Sequence, residues 1–270
     1  MNTALYKQFE INAKTWVEKA GKILIAQEHS FTISKQKDEI DIATSADIAV
    51  EEFLTEKIHE KYPSHAIYGE ELHTQYPNAQ YVWIIDPLDG TKEYARGMGE
   101  YNVLVAVEEN EQIVAGVVRR FGHNVTYSTS KGNGSSMENT KIHVSHVSSL
   151  EKAMISANIP RKQNTSPEKI DSYIKLFASI IKQAYRLRPG SDDAKMAAWV
   201  AQGVYDAYIS FPNRQKWYDI APALLLVEEA GGKVTDWQGN PLQNHDLSKG
   251  ILASNGLLHE QLLAIIKEAV

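Results

Sequence analysis

Three carboxylates, Glu70, Asp86 and Asp89, carry the first chemical signal in this chain of 270 residues. Trp83-Ile84-Ile85 is apolar, reads as a buried strand, and runs directly into Asp86-Pro87-Leu88-Asp89-Gly90-Thr91. Pro and Gly are expected to stop the strand in a tight turn. That leaves two aspartates at the lip of a sheet, close together and pointing the same way. Carboxylates crowded like this repel, and one keeps its proton unless a cation lies between them. Hard oxygen ligands with retained waters suit Mg²⁺, so metal-assisted phosphate chemistry is the first expectation. Glu70 follows a neighbouring expected strand, His65 to Tyr68, and adjacent strands ending at one sheet edge bring it to Asp86. Taken alone, Gly69-Glu70-Glu71 reads as a solvated turn sooner than as a site.

Further groups fit the same chemistry. Glycine at 90 lets a ligand approach the backbone, and the N–H groups of Gly90 and Thr91, opening a helical turn, suit phosphate oxygens. Thr44-Ser45-Ala46-Asp47 reads as a helix start in which Thr44 caps and Asp47 answers as a shortened capping box. The functional alternative makes Asp47 the acid that orients Thr91 and an attacking water. Asp219 in Lys216-Trp217-Tyr218-Asp219-Ile220-Ala221 reads as an N-cap, a role compatible with facing a site.

The elements that must position these groups follow from periodicity. Thr3 to Gln27 is helical through Leu5, Phe9, Ala13, Trp16, Ala20 and Ile23. A short strand is expected near Phe31 to Ser34, and a helix from Thr44 to the stop at Pro63. Strands Asn102–Val107 and Gln112–Arg119 form a hairpin across Glu109-Asn110-Glu111, with Asn124–Ser130 next in the meander. The loop Lys131–Ser136 is the expected boundary between an N-terminal half, 1–135, and a C-terminal half, 136–270. The second half alternates strands and helices: Ala153–Ile159, a helix capped at Ser166 or Thr165, Tyr185–Leu187, a helix begun by Pro189-Gly190-Ser191, Tyr205–Ser210, a helix from Asp219 to Ala230, Ile251–Ala253, and a helix from Leu257 to Glu268. Together these predict an α+β half followed by an α/β half.

Composition narrows the function. Hydrophobic residues make up 43% and charged residues 23%, as in globular chains. The net charge of −6 and the lack of a basic block argue against a nucleic-acid polymer as partner. There is no cysteine, which removes disulfides, thiolate metal sites and cysteine nucleophiles. No apolar stretch reaches membrane-span length, and Met1-Asn2-Thr3-Ala4-Leu5 does not read as a secretory signal, so a cytoplasmic location and no membrane partner are expected. Nucleophile-elbow and phosphate-loop patterns are absent.

Asp-Pro-Leu-Asp-Gly-Thr after an apolar strand, Gly-Glu-Glu before it and Asp-Ile-Ala late in the chain resemble the inositol monophosphatase superfamily of lithium-sensitive, Mg²⁺-dependent phosphatases. The resemblance implies a layered α-β-α-β-α sandwich, shared with fructose-1,6-bisphosphatase, and a homodimer, since members are often dimeric. It implies that Glu70, Asp86, the Leu88 carbonyl, Asp89 and Asp219 ligate two or three Mg²⁺ ions, with Mn²⁺ as a substitute and Li⁺ as an inhibitor. Thr91 and Asp47, with Glu70, would position and help deprotonate the water that attacks a phosphomonoester in line. Gly90 and Thr91 would hold the phosphate, and Gly190, Ser191 and Lys195 would lie on the leaving-group side of a small phosphorylated substrate.

Gly90-Thr91-Lys92-Glu93-Tyr94 and Lys216-Trp217 look like the branch acting on 3′(2′),5′-bisphosphate nucleotides, with Lys195, Arg214 and Lys216 available for a second phosphate. The alternatives are inositol 1-phosphate, a sugar phosphate or histidinol phosphate, and, from another class, a non-catalytic metal or phosphate sensor. The chain also departs from the family pattern. Asp192-Asp193 stands where small residues are usual, which would disfavour a doubly charged substrate. Tyr218 rather than Trp precedes Asp219, and Ile42-Ala43 replaces the usual Pro-Val before Thr44.

Overall fold

The computed structural model describes residues 2–36, 42–160, 165–242 and 245–270. The chain divides into two compact units, 1–140 and 141–270.

The first unit opens with α1 (Thr3–Gln27), whose Asn2 side chain accepts from Leu5 N at the N-terminus. The strands β1 (Ile33–Gln36) and β2 (Ile42–Thr44) form a small antiparallel pair ahead of α2 (Ser45–Lys61). A seven-stranded sheet follows: β3 (Ala66–Gly69), β4 (Tyr81–Asp89), then, after the short helix α3 (Thr91–Ala95), β5 (Asn102–Glu109), β6 (Gln112–Arg120), β7 (Val125–Ser130), β8 (Ser135–Met137) and β9 (Thr140–Lys141), in that spatial order. The β5–β6 hairpin turns through Asn110 and Glu111, both at positive φ, as a tight two-residue turn requires.

The apolar stripe of α1 explains its placement. Phe9, Ala13, Trp16, Val17, Ala20 and Leu24 recur at helical spacing and are buried with Val50, Leu54 and Ile58 of α2. Both pack on the face of the sheet that presents Trp83, Ile85, Val103, Val105 and Val117. The loop expected to separate the halves instead leads into β8 and β9, which continue the first sheet, because Thr129 and Tyr127 pair with Ser135 and Met137.

In the second unit a 3-10 turn precedes β10 (Met154–Asn158). Then come α4 (Pro167–Gln183, capped by Ser166), β11 (Arg186–Gly190), α5 (Asp193–Ala201), β12 (Ala207–Ser210), α6 (Ala221–Glu229), β13 (Lys233–Thr235), β14 (Ile251–Ser254) and α7 (His259–Ala269). The sheet order is β11-β10-β12-β14-β13, with β10 parallel to both β11 and β12. Strand alternation gives each face its helices. Ala207 and Ile209 join α4 and α7 in one core, whereas the Tyr208 hydroxyl reaches Asp193 of α5. The units are therefore mixed α/β layers, helix on sheet in the first and helix-sheet-helix in the second.

Candidate metal centre

β4 does not stop at Pro87. It continues to Asp89, which pairs with Asn102, and the ladder slips between Asp86 and Asp89. Proline cannot donate to a ladder and is accommodated at a bulge, so the expected turn is a bulged strand end. The bulge keeps the extended chain going while re-aiming its side chains. Asp86 is 2% exposed, and its Oδ1 accepts from Leu88 N at 3.1 Å. Asp89 receives Asn102 Nδ2 at 2.8 Å.

β3 runs parallel to β4, with Gly69 opposite Ile85. Glu70 N then donates to Ile85 O at 3.3 Å, which brings Glu70 beside Asp86, as the shared sheet edge predicted. Gly90 at φ 94° opens α3. A Cβ there would stand 3.0 Å from Glu100 O, so this left-handed, crowded corner requires glycine.

α2 supplies the next layer. Thr44 and Asp47 form the reciprocal capping box; Asp47 Oδ2 accepts from Thr44 N at 2.8 Å and Thr44 Oγ1 at 2.5 Å. Its other oxygen, Oδ1, lies 3.0 Å from Thr91 Oγ1, which is also 3.0 Å from the Leu88 carbonyl. The capping and functional readings of Asp47 thus coexist, one per oxygen. Burial pushes the Asp47 carboxyl above the usual carboxylate range, against the lowering pull of its bonds from Thr44 and Thr91.

Glu51 was not foreseen from the sequence. One turn beyond Asp47 and fully buried, it accepts from Glu71 N at 2.8 Å, Leu72 N at 3.0 Å and His73 N at 3.1 Å, with His73 Nδ1 also at 3.1 Å. The only signal in the sequence was its i+4 spacing from Asp47, because its partners are backbone groups some twenty residues away.

The remaining expected residues belong to the second unit. Asp219 is not the cap of α6; Ile220 is, with Pro222 in the first turn. The Asp219 carboxylate instead accepts from Lys216 N at 2.7 Å, closing the tight turn before the helix. Gly190 ends β11 rather than starting a helix, Ser191 follows it, and Asp192 caps α5 by accepting from Lys195 N at 2.8 Å. Lys195 Nζ stands 3.6 Å from Asp192 and 5.6 Å from the Trp199 ring centre, and Arg214 Nε donates to Ile159 O. Asp193 turns inward, accepting from Tyr208 OH at 2.5 Å and Asn158 Nδ2 at 2.8 Å, and burial raises its pKa.

Among the described residues no three His, Asp or Glu side chains form a metal-holding cluster. The donor types at the β4 end nevertheless fit a hard divalent cation: carboxylates of Glu70, Asp86 and Asp89 and the Leu88 carbonyl, all oxygen. No helix among the described residues is long and apolar enough to cross a membrane.

The sequence model of the inositol monophosphatase family matches residues 6–270. The Nus factor SuhB of Pseudomonas aeruginosa is 33% identical over 236 residues, 86% of this chain and 85% of its own. The inositol-1-monophosphatase of Bacillus subtilis is 30% identical over 259 residues, 93% of each chain. Among solved structures, the IMPase of Thermotoga maritima superimposes with a TM-score of 0.81 at 28% identity, covering 94% of this chain and 95% of that one. A match along nearly the whole chain, in sequence and in fold, establishes that this protein belongs to the inositol monophosphatase family, whose members are metal-dependent phosphatases.

Proposed function

We propose that the chain is a Mg²⁺-dependent phosphomonoesterase acting on an inositol or sugar monophosphate. The observation that carries this reading is the Thr91–Asp47 hydrogen bond at the bulged end of β4, the strand end that bears Asp86, Leu88 and Asp89, with Glu70 following the parallel neighbour β3. Glu70, Asp86, the Leu88 carbonyl and Asp89 would hold the ions. Bound Mg²⁺ would lower the pKa of water and neutralise the phosphate oxygens. Thr91 Oγ1 would accept a proton from the attacking water while passing its own to Asp47 Oδ1. Burial raises the proton affinity of that carboxylate, which suits it to the task. Gly90 and the start of α3 would receive the phosphate.

The relatives favour inositol and sugar phosphates over the bisphosphate nucleotide. They include an inositol-1-monophosphatase and a fructose-1,6-bisphosphatase/inositol-1-monophosphatase, the latter from Thermotoga maritima at 30% identity. Two of the three cations expected to meet a second phosphate are also engaged locally, Lys195 with Asp192 and Arg214 with Ile159 O. The relatives named Nus factor SuhB raise a second reading, a role as a Nus factor, but the retained acid constellation favours catalysis. Phosphate release from inositol 1-phosphate, fructose 1,6-bisphosphate, histidinol phosphate and adenosine 3′,5′-bisphosphate, each with and without Li⁺, tests the assignment. Lithium-sensitive turnover of the first is expected, and preference for the last would overturn the substrate class.

A further inference from the structure

Glu70 carries one carboxylate of the proposed centre, yet it sits on the loop 69–73 rather than on a strand. Such a loop needs something rigid to place it. Its ends are tied by Gly69 N donating to His73 O at 2.9 Å, and Glu70 N is tied to β4 through Ile85 O. The space inside is filled by the Glu51 carboxylate. Oε2 takes Glu71 N; Oε1 takes Leu72 N and His73 N, with His73 Nδ1 beside it. A Cβ at Gly69 would lie 2.2 Å from Glu51 Oε1, so the loop is wrapped around that carboxylate with no slack. Glu70 is therefore held from both sides, by its own N–H on β4 and by the next N–H on α2.

A buried carboxylate is costly unless donors surround it, and here backbone donors do so. Residues four apart lie on one helix face, so Asp47 and Glu51 share a face of α2. One meets Thr91 and the other meets the loop that bears Glu70. The capping box at Thr44 anchors the start of that same helix.

We propose that Glu51 is a positioning residue for the metal centre: by gripping the amides of Glu71, Leu72 and His73 it sets the place of the Glu70 carboxylate. The proposal rests on reading Glu70 as a metal ligand. Glu51→Gln keeps the shape but turns an acceptor into a donor facing N–H groups, which loosens the grip.

The test uses the full chain, with Mg²⁺ binding followed by titration calorimetry, amide exchange of the 69–73 segment by mass spectrometry, and phosphate release as a function of Mg²⁺. Loss of an outer partner of a metal ligand typically costs about 10- to 100-fold in affinity. Glu51→Gln is expected to raise the Mg²⁺ dissociation constant by that factor and to speed exchange at residues 71–73. At saturating Mg²⁺ its kcat should stay within about threefold of the parent, because no contact to the reacting atoms is lost. An unchanged Mg²⁺ affinity, whatever the exchange rates, overturns the proposal. Should Glu51→Gln fail to fold, His73→Ala removes one contact at a part-exposed position and is expected to weaken Mg²⁺ by about threefold; unchanged affinity there has the same force. Glu70→Gln is the separate control. If it leaves Mg²⁺ binding intact, the ligand assignment itself fails.

Discussion

Thr91 Oγ1 stands 3.0 Å from Asp47 Oδ1 and 3.0 Å from the Leu88 carbonyl, although a hydroxyl has one proton for two acceptors. Two states satisfy this geometry: the hydroxyl donates to Asp47, or a protonated Asp47 donates to the hydroxyl, which donates to Leu88. Burial raises the Asp47 pKa, which narrows the gap between the two states. The second state holds one proton more than the first, so passage between them needs Thr91 Oγ1 to take up a proton from outside the pair as its own moves to Asp47 Oδ1.

Under the proposed function, that relay would make the hydroxyl indispensable and the methyl incidental. Thr91→Val keeps the shape and removes the proton path, and kcat is expected to fall by about 10²- to 10⁴-fold at saturating Mg²⁺. Thr91→Ser is expected to remain within about tenfold. Equal losses in the two variants would show that Thr91 serves only the local packing.

Gly69 supplies a prediction about stability. A methyl group there meets a carboxylate oxygen held by several N–H donors, which cannot swing aside. Gly69→Ala is expected to destabilise the chain by about 1–3 kcal/mol through overpacking, read as a lower urea midpoint at an unchanged m value. A neutral result would mean that the loop relaxes freely.

His259 makes stability depend on pH. The Thr235 hydroxyl gives its proton to Asp236 O, so it accepts from His259 Nε2, and His259 Nδ1 accepts from Ser254. Burial of the whole ring, helped by the charge of Lys233, pushes its pKa down to about 4 from 6.5, so the ring is neutral at pH 7. Between those values the unfolded chain binds the proton and the folded chain does not. This contribution to stability is complete above pH 6.5 and is lost as pH falls towards 4. At pH 5 the loss is about 2 kcal/mol relative to pH 7. His259→Gln is expected to flatten that part of the profile, measured by urea denaturation at both pH values. An unchanged difference between pH 7 and pH 5 would count against the assignment.

Lys195 tests the substrate class. Paired with Asp192 and lying over Trp199, it is already engaged within its own helix. Lys195→Ala is expected to change kcat/KM for inositol 1-phosphate by less than about threefold, since a part-exposed ion pair contributes little. A selective loss of more than about tenfold on adenosine 3′,5′-bisphosphate would instead point to a second-phosphate contact.

What the sequence disclosed follows from how local each signal is. The bounds of α1 were readable because its apolar stripe and its polar end are both local, and the β5–β6 hairpin was readable because alternation flanks a polar turn. Glu70 beside Asp86 was legible through one topological inference, that neighbouring strands end at a common edge. The run of β4 through Pro87 was hidden, because only the partner strand, through the Asp89–Asn102 pairing, reveals a bulge. The capping expectation for Asp219 failed because Pro222 and the turn closed on Lys216 N move the helix start past it. Asp192 and Asp193 looked alike in sequence, yet one caps α5 and the other is buried against Tyr208 and Asn158. Beyond its i+4 spacing from Asp47, Glu51 left no signal, because backbone amides leave no trace in side-chain identity.

On the proposed function the acids at the end of β4 make this chain a metal-dependent phosphatase, and Asp89→Asn puts that to the sharpest test. The substitution preserves shape and the neighbourhood of Asn102 while removing one anionic ligand. Phosphate release from inositol 1-phosphate is measured across a Mg²⁺ titration for both forms. Mg²⁺-dependent release by the parent and a fall of at least about 10²-fold in the variant are expected, with the fold retained by circular dichroism. Release that is independent of Mg²⁺, or unchanged in Asp89→Asn, would contradict it.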